Sequence, residues 1–119
     1  MSYNKRGNPQ KKLIMADILK EFIGKPVIVR SRNEGINFGV VKDLDNTGVV
    51  IEGARRIWYH KPLDPNTAWY EGVAVSGLSP DSKVSAAVSV KVIVEDYSLT
   101  VCDDVATESI KNHPNYGQR

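Results

Sequence analysis

The sequence predicts an α+β fold: an antiparallel sheet of about five or six strands, with an N-terminal helix, a short middle helix and a C-terminal helix. Three observations predict it. Apolar residues recur every four positions near the start, at Ile14, Ile18 and Phe22, and the period drops to two after Pro26. The period-two segments are joined by turns such as Asn33-Glu34-Gly35, too short for the crossover that parallel strands need. The length of 119 residues fits one domain, able to bury a core without the disulfide that a single cysteine excludes.

The elements follow in order. Residues 1–9 read as a flexible basic arm carrying Lys5 and Arg6. Asn8-Pro9 is a cap followed by proline at the first helical position, which opens a helix over about 10–23. Gly24 ends it and Pro26 prevents its continuation. Val27 to Arg32 alternate as a strand, and Ile36 to Leu44 form a second strand carrying Gly39. After the turn at Asp45-Asn46-Thr47-Gly48, Val49 to Glu52 form a third strand, and Gly53 breaks or bulges the chain before Ala54 to His60.

Asp64-Pro65 repeats the cap-plus-proline signal, predicting a short helix over about 65–75 that carries Trp69, Tyr70 and Val73. Lys83 to Glu95 is rich in valine and reads as one long or bent strand, followed by a strand from Tyr97 to Cys102. Asp103-Asp104 caps a last helix that Asn112-His113-Pro114 stops. One domain over 10–113 and a tail over 114–119 result.

Composition narrows the function. The net charge of +2 hides an asymmetry: Met1 to Lys61 carries 12 basic and 6 acidic side chains, while Pro62 to Arg119 carries 4 and 8. Basic and acidic halves suit an anion, or a second copy meeting opposite patches; the alternative is that the fold mixes both signs. No run approaches the roughly 20 apolar residues of a membrane span, and the polar start is unlike a signal peptide, so a cytoplasmic protein is expected. His60 and His113 stand alone, and no phosphate-binding glycine loop occurs, so neither catalysis, metal nor cofactor is expected. Asp103 and Asp104 read as a cap rather than an acid pair, and Cys102 as structural.

The densest chemistry lies in Arg55-Arg56-Ile57-Trp58-Tyr59-His60. On a strand, Arg55, Ile57 and Tyr59 share one face, and Arg56, Trp58 and His60 the other. Each face pairs a guanidinium with a ring, which is the equipment for gripping a phosphate and stacking on a base. One arginine is then expected on phosphate and the other in support of the sheet. The bland alternative is a half-buried strand with core rings and solvated arginines. Lys83 and Ser85, two apart on a strand, present an ammonium beside a hydroxyl, with Val84 turned to the core. Lys83 is equally readable as an edge-strand lysine that blunts aggregation. Thr107 lies one turn past Asp103, near the positive end of a helix dipole where phosphate is favoured, and is preferred to Ser109.

The blocks Gly53-Ala54-Arg55-Arg56-Ile57-Trp58-Tyr59, Glu71-Gly72-Val73, Lys83-Val84-Ser85, Val92-Ile93 and Thr107-Glu108-Ser109-Ile110 resemble small tailed-phage proteins over residues 26–112. The order of a β-rich body and a closing helix is also similar to the first Thoeris anti-defence family, phage sponges for cyclic ADP-ribose-type immune signals. Two features depart from those chains: His60 stands where they carry a second Trp, and the helix over 10–23 is an addition. The resemblance implies a non-enzymatic sponge that sequesters a cyclic ADP-ribose isomer or cyclic oligonucleotide in pockets between protomers of a homo-oligomer. Its ligand-binding residues would be Arg55, Arg56, Trp58, Tyr59, Lys83, Ser85 and Thr107. Two other classes compete. A nucleic-acid-binding or regulatory module would track phosphates with Lys5, Arg6, Arg30, Arg32, Arg55 and Arg56, though a pI near 8.7 is low for that role. A ligand-free accessory interaction protein would bind no small molecule.

Overall fold

Six strands form one antiparallel sheet in this computed structural model, which describes residues 17–64, 66, 69–94 and 96–116. β1 (Pro26–Ser31), β2 (Gly35–Asp45) and β3 (Gly48–Tyr59) form the expected meander, with Ile28 opposite Phe38 and Phe38 opposite Arg55. β4 (Lys83–Val84) and β5 (Val88–Ile93) both lie against the outer side of β3. β6 (Tyr97–Val101) returns to the free side of β1, placing Leu99 opposite Val29. The α+β class and the antiparallel sheet are therefore as the sequence predicts, with three helices.

Of the N-terminal helix, α1, residues 17–20 are helical and residues 21–24 form a turn; the rest of the predicted helix and the basic arm lie outside the described residues. α2 (Trp69–Ser76) starts four residues later than predicted. Asp64 is not its cap: its Oδ1 accepts from the Asn66 amide at 3.0 Å, a local turn that competes with helix. α3 (Asp104–Asn112) follows Asp103, which occupies the N-cap position as expected, although its side chain makes no capping hydrogen bond.

Gly53 bulges the chain without breaking it. With φ at +60°, a value glycine adopts without steric cost, it lets β3 run unbroken to Tyr59. It also shifts the alternation by one. Val49, Ile51 and Ala54 face one core, while Arg55 and Ile57 face the other. The predicted strand over 83–95 is two pieces for a related reason. Between them the Ser85 hydroxyl accepts from the Arg56 amide at 2.8 Å, and the Ser85 amide donates to the Arg56 carbonyl at 2.9 Å.

The sheet thus has a core on each face. On one, Ile28, Phe38, Ile57 and Val84 pack against Val73, Ala74 and Leu78 around α2 and against Ala106 and Ile110 of α3. On the other, Val27, Val29, Val41, Ile51 and Ile93 pack with Leu19 and Phe22 from the α1 segment and Leu99 of β6. Val27, Ile28 and Val29 are all fully buried, because β1 has a strand on each side and a core on each face. Gly77, at φ +91°, ends α2 where α3 crosses it; a Cβ there would come within 2.6 Å of the Ser109 side chain. Ser109 Oγ in turn accepts from the Leu78 amide at 3.0 Å.

Candidate functional site

The two consecutive arginines of β3 have different surroundings. Arg55 is 4% exposed and every guanidinium nitrogen is engaged. Its Nε donates to the Ser85 carbonyl at 2.8 Å. One terminal nitrogen donates to the Ile110 carbonyl at 2.6 Å and the His113 carbonyl at 2.9 Å. The other reaches Asn115 Oδ1 at 2.6 Å. A helix leaves its last carbonyls without intrahelical donors, and a cation there also meets the negative end of the dipole. Arg55 therefore closes α3. Burial pushes its pKa down from the usual arginine value, but the group stays charged at neutral pH.

Arg56 is exposed and points to the opposite face, beside Gly35 at the start of β2. Together with Gly35, Ile36, Ile57, Trp58 and His60 it lines an open hollow of about 330 Å³. A larger open groove of about 770 Å³ adjoins it, sharing Gly35 and Ile36 and lined further by Arg30, Arg32, Asp96 and Tyr97. Arg56 therefore borders one hollow and Arg30 and Arg32 the other, with Gly35 and Ile36 lining both. Burial holds the His60 imidazole below its ordinary pKa, so His60 is neutral at pH 7 and adds no charge.

Trp58 is 66% exposed, so its indole face is open to a stacking partner. Its ring is tilted against that of Tyr116, with centroids 6.0 Å apart at 60°. Tyr116 is held because its amide donates to the Val84 carbonyl at 2.8 Å, while Asn115 bridges to Val84. These two residues, expected as tail, instead run beside β4. Lys83 Nζ sits 4.9 Å from the Tyr116 ring centroid and 5.8 Å from that of Tyr59, and Lys61 lies 5.9 Å from Tyr59.

The seven predicted site residues therefore separate into groups. Arg56 and Trp58 line the hollow together. Lys83 and Tyr59 are exposed and join Trp58 through Tyr116, and Val84 is fully buried as expected. Ser85 is committed to the Arg56 backbone. Arg55 is the supporting arginine of the pair. Thr107 is buried and its hydroxyl donates to the Asp103 carbonyl at 3.0 Å, so it lines neither hollow. Sequence reasoning missed Tyr116, whose place depends on Arg55 drawing in residues 113–115, a contact that spans 58 positions at His113. It also left Arg30 and Arg32 to the nucleic-acid alternative.

Near Arg56, Lys91 Nζ bridges Glu34 Oε1 at 2.7 Å and Asn37 Oδ1 at 3.0 Å. The hydrogen bond and charge of Lys91 hold the Glu34 carboxyl below its usual pKa. Among the described residues no three of His, Cys, Asp and Glu gather as metal ligands, and no helix is long and apolar enough to cross a membrane. Cys102 is buried, and its thiol is pushed up to about 12 by burial and by Asp103, which leaves almost no thiolate at neutral pH.

A family model described as a domain of unknown function (DUF6948) matches residues 24–110, which takes in the whole sheet, α2 and most of α3 but stops short of Tyr116. No curated protein and no solved structure matches the chain.

Proposed function

The chain belongs to the DUF6948 domain family, and we propose that it is a non-enzymatic binding protein that sequesters a small anionic nucleotide. One observation carries the reading: Arg56 and Trp58 line one hollow, and Gly35 and Ile36 of that hollow also line a groove bordered by Arg30 and Arg32. A guanidinium suits a phosphate, an exposed indole suits a base, and each hollow, at about 330 and 770 Å³, is in the range of ligand sites, roughly 300–1,000 Å³. The resemblance to phage sponges supplies the ligand class, a cyclic ADP-ribose isomer or cyclic oligonucleotide, with an anti-defence role in the cytoplasm of an infected bacterium.

Sequestration needs slow release, and nanomolar affinity corresponds to about −12 kcal/mol. Both hollows are open on one copy, so a homo-oligomer in which a second copy closes them supports such affinity better than a single surface. Calorimetric titration with cyclic ADP-ribose isomers and cyclic dinucleotides tests the proposal. Saturable heat, intact ligand recovered afterwards, and its loss in Arg56→Ala and Trp58→Ala are expected; no heat from any of these ligands refutes it.

A second reading rests on the exposed Trp58, Tyr116 and Tyr59 rings with Lys61 and Lys83 among them, a surface on which single-stranded nucleic acid would stack. Salt separates the two. Six or more phosphate contacts lose affinity by orders of magnitude between low and moderate salt, whereas a small ligand in a hollow loses little.

A further inference from the structure

The three outer edges of the sheet are finished differently. Along β4, Asn115 and Tyr116 cover the backbone, with the Tyr116 amide on the Val84 carbonyl. β6 is flanked by exposed Asp96 and Asp103, charges that discourage a neighbouring strand. β5 has neither protection. Among the described residues it pairs with β3 alone, and Val88, Val90, Val92 and Val94 stand 48–73% exposed in period-two succession. The lysine that would guard such an edge, Lys91, is turned to the other face and tied to Glu34 and Asn37. We infer that the outer edge of β5 is where a second copy of this chain docks, strand against strand, in an antiparallel pair about a two-fold axis.

The chemistry of the row selects the occupant. Directly opposed residues of an antiparallel pair lie on the same face, so registers centred on Val90, Lys91 or Val92 set valine against valine. Glu52, across from Val90 on β3, is already paired with Lys42 at 3.8 Å, so the neighbouring surface offers no net charge to a charged peptide. An isologous contact needs no such complement, since the same patch serves both sides. The two sheets then become one continuous twelve-stranded sheet, in which opposed valines cover each other's flanks. This inference is independent of the nucleotide reading.

Sedimentation equilibrium on the full chain tests it, beside a Val90→Lys/Val92→Lys variant checked for unchanged circular dichroism. Wild type is expected at twice 13.2 kDa and the variant at 13.2 kDa. A Val90→Cys/Val92→Cys variant supplies a second readout, because each of the three registers brings a cysteine pair within the roughly 4.4–6.8 Å Cα separation a disulfide needs. Mild oxidation should link it into a reducible dimer, with buried Cys102 leaving wild type unlinked. A one-chain wild-type mass up to high micromolar concentration, a two-chain mass that survives both lysines, or no link on oxidation each overturns the inference.

Discussion

Arg55 and Arg56 are the same residue at consecutive positions of one strand, and they do opposite things. Arg55 faces the side that α2 and α3 cover, so its donors are taken by carbonyls at Ser85, Ile110 and His113. Arg56 faces the side whose end is left open beyond the valine core, so its guanidinium borders a hollow. The difference comes from what lies above each face of the sheet. A buried charge must be satisfied internally and becomes part of the architecture; an exposed one is available to a ligand.

The largest expected effect breaks the Arg55 side. Arg55→Ala strips donors from the end of α3 and from Ser85 inside a closed core, and should cost about 3 kcal/mol in urea unfolding. Arg55→Lys should recover only part, because an ammonium cannot match the planar fork. A loss under about 1 kcal/mol would mean that α3 is held by packing alone. Gly77→Ala attacks the same region through its backbone. The positive φ and the Ser109 contact at 2.6 Å together predict about 2 kcal/mol of destabilisation, read as a lower melting temperature.

That much of this was legible in the sequence follows from local rules, and the rest depends on distant residues. Alternation placed Arg55 and Arg56 on opposite faces, and short turns fixed the antiparallel meander. Which face α3 would cover was not readable, because its contact with Arg55 at Ile110 spans 55 positions of the chain. For the same reason Thr107 looked like a phosphate site near a helix start, yet it is buried with its hydroxyl on the Asp103 carbonyl. The split of 83–95 was hidden too, since it depends on the Ser85 hydroxyl meeting the backbone of Arg56.

The Arg56 side yields smaller effects on stability. The Glu34 carboxyl titrates below its ordinary 4.5 in the folded chain, so its contribution is present above that value and lost as pH falls through the depressed folded value. Glu34→Gln should therefore flatten the stability profile below about pH 4.5, measured by urea midpoints across pH; an unchanged profile would show that Lys91 does not hold it in solution. Arg56→Ala should move stability least, by under about 0.5 kcal/mol, while lowering nucleotide affinity at least about tenfold. The reverse, a large stability loss with intact binding, would erase the distinction between the two arginines.

Arg55 also imposes an order on the birth of the molecule. Its partners at Ile110, His113 and Asn115 are 55–60 positions further along the chain. At synthesis rates of roughly 5–20 residues per second, the guanidinium waits about 3–12 s on the ribosome before any of them exists. β1 waits longer still, since one of its two strand neighbours is β6. Until then the guanidinium stays in water and the valines of β1 lack a strand neighbour, so completion of the meander falls late in translation, when the last helix closes over the first hairpin.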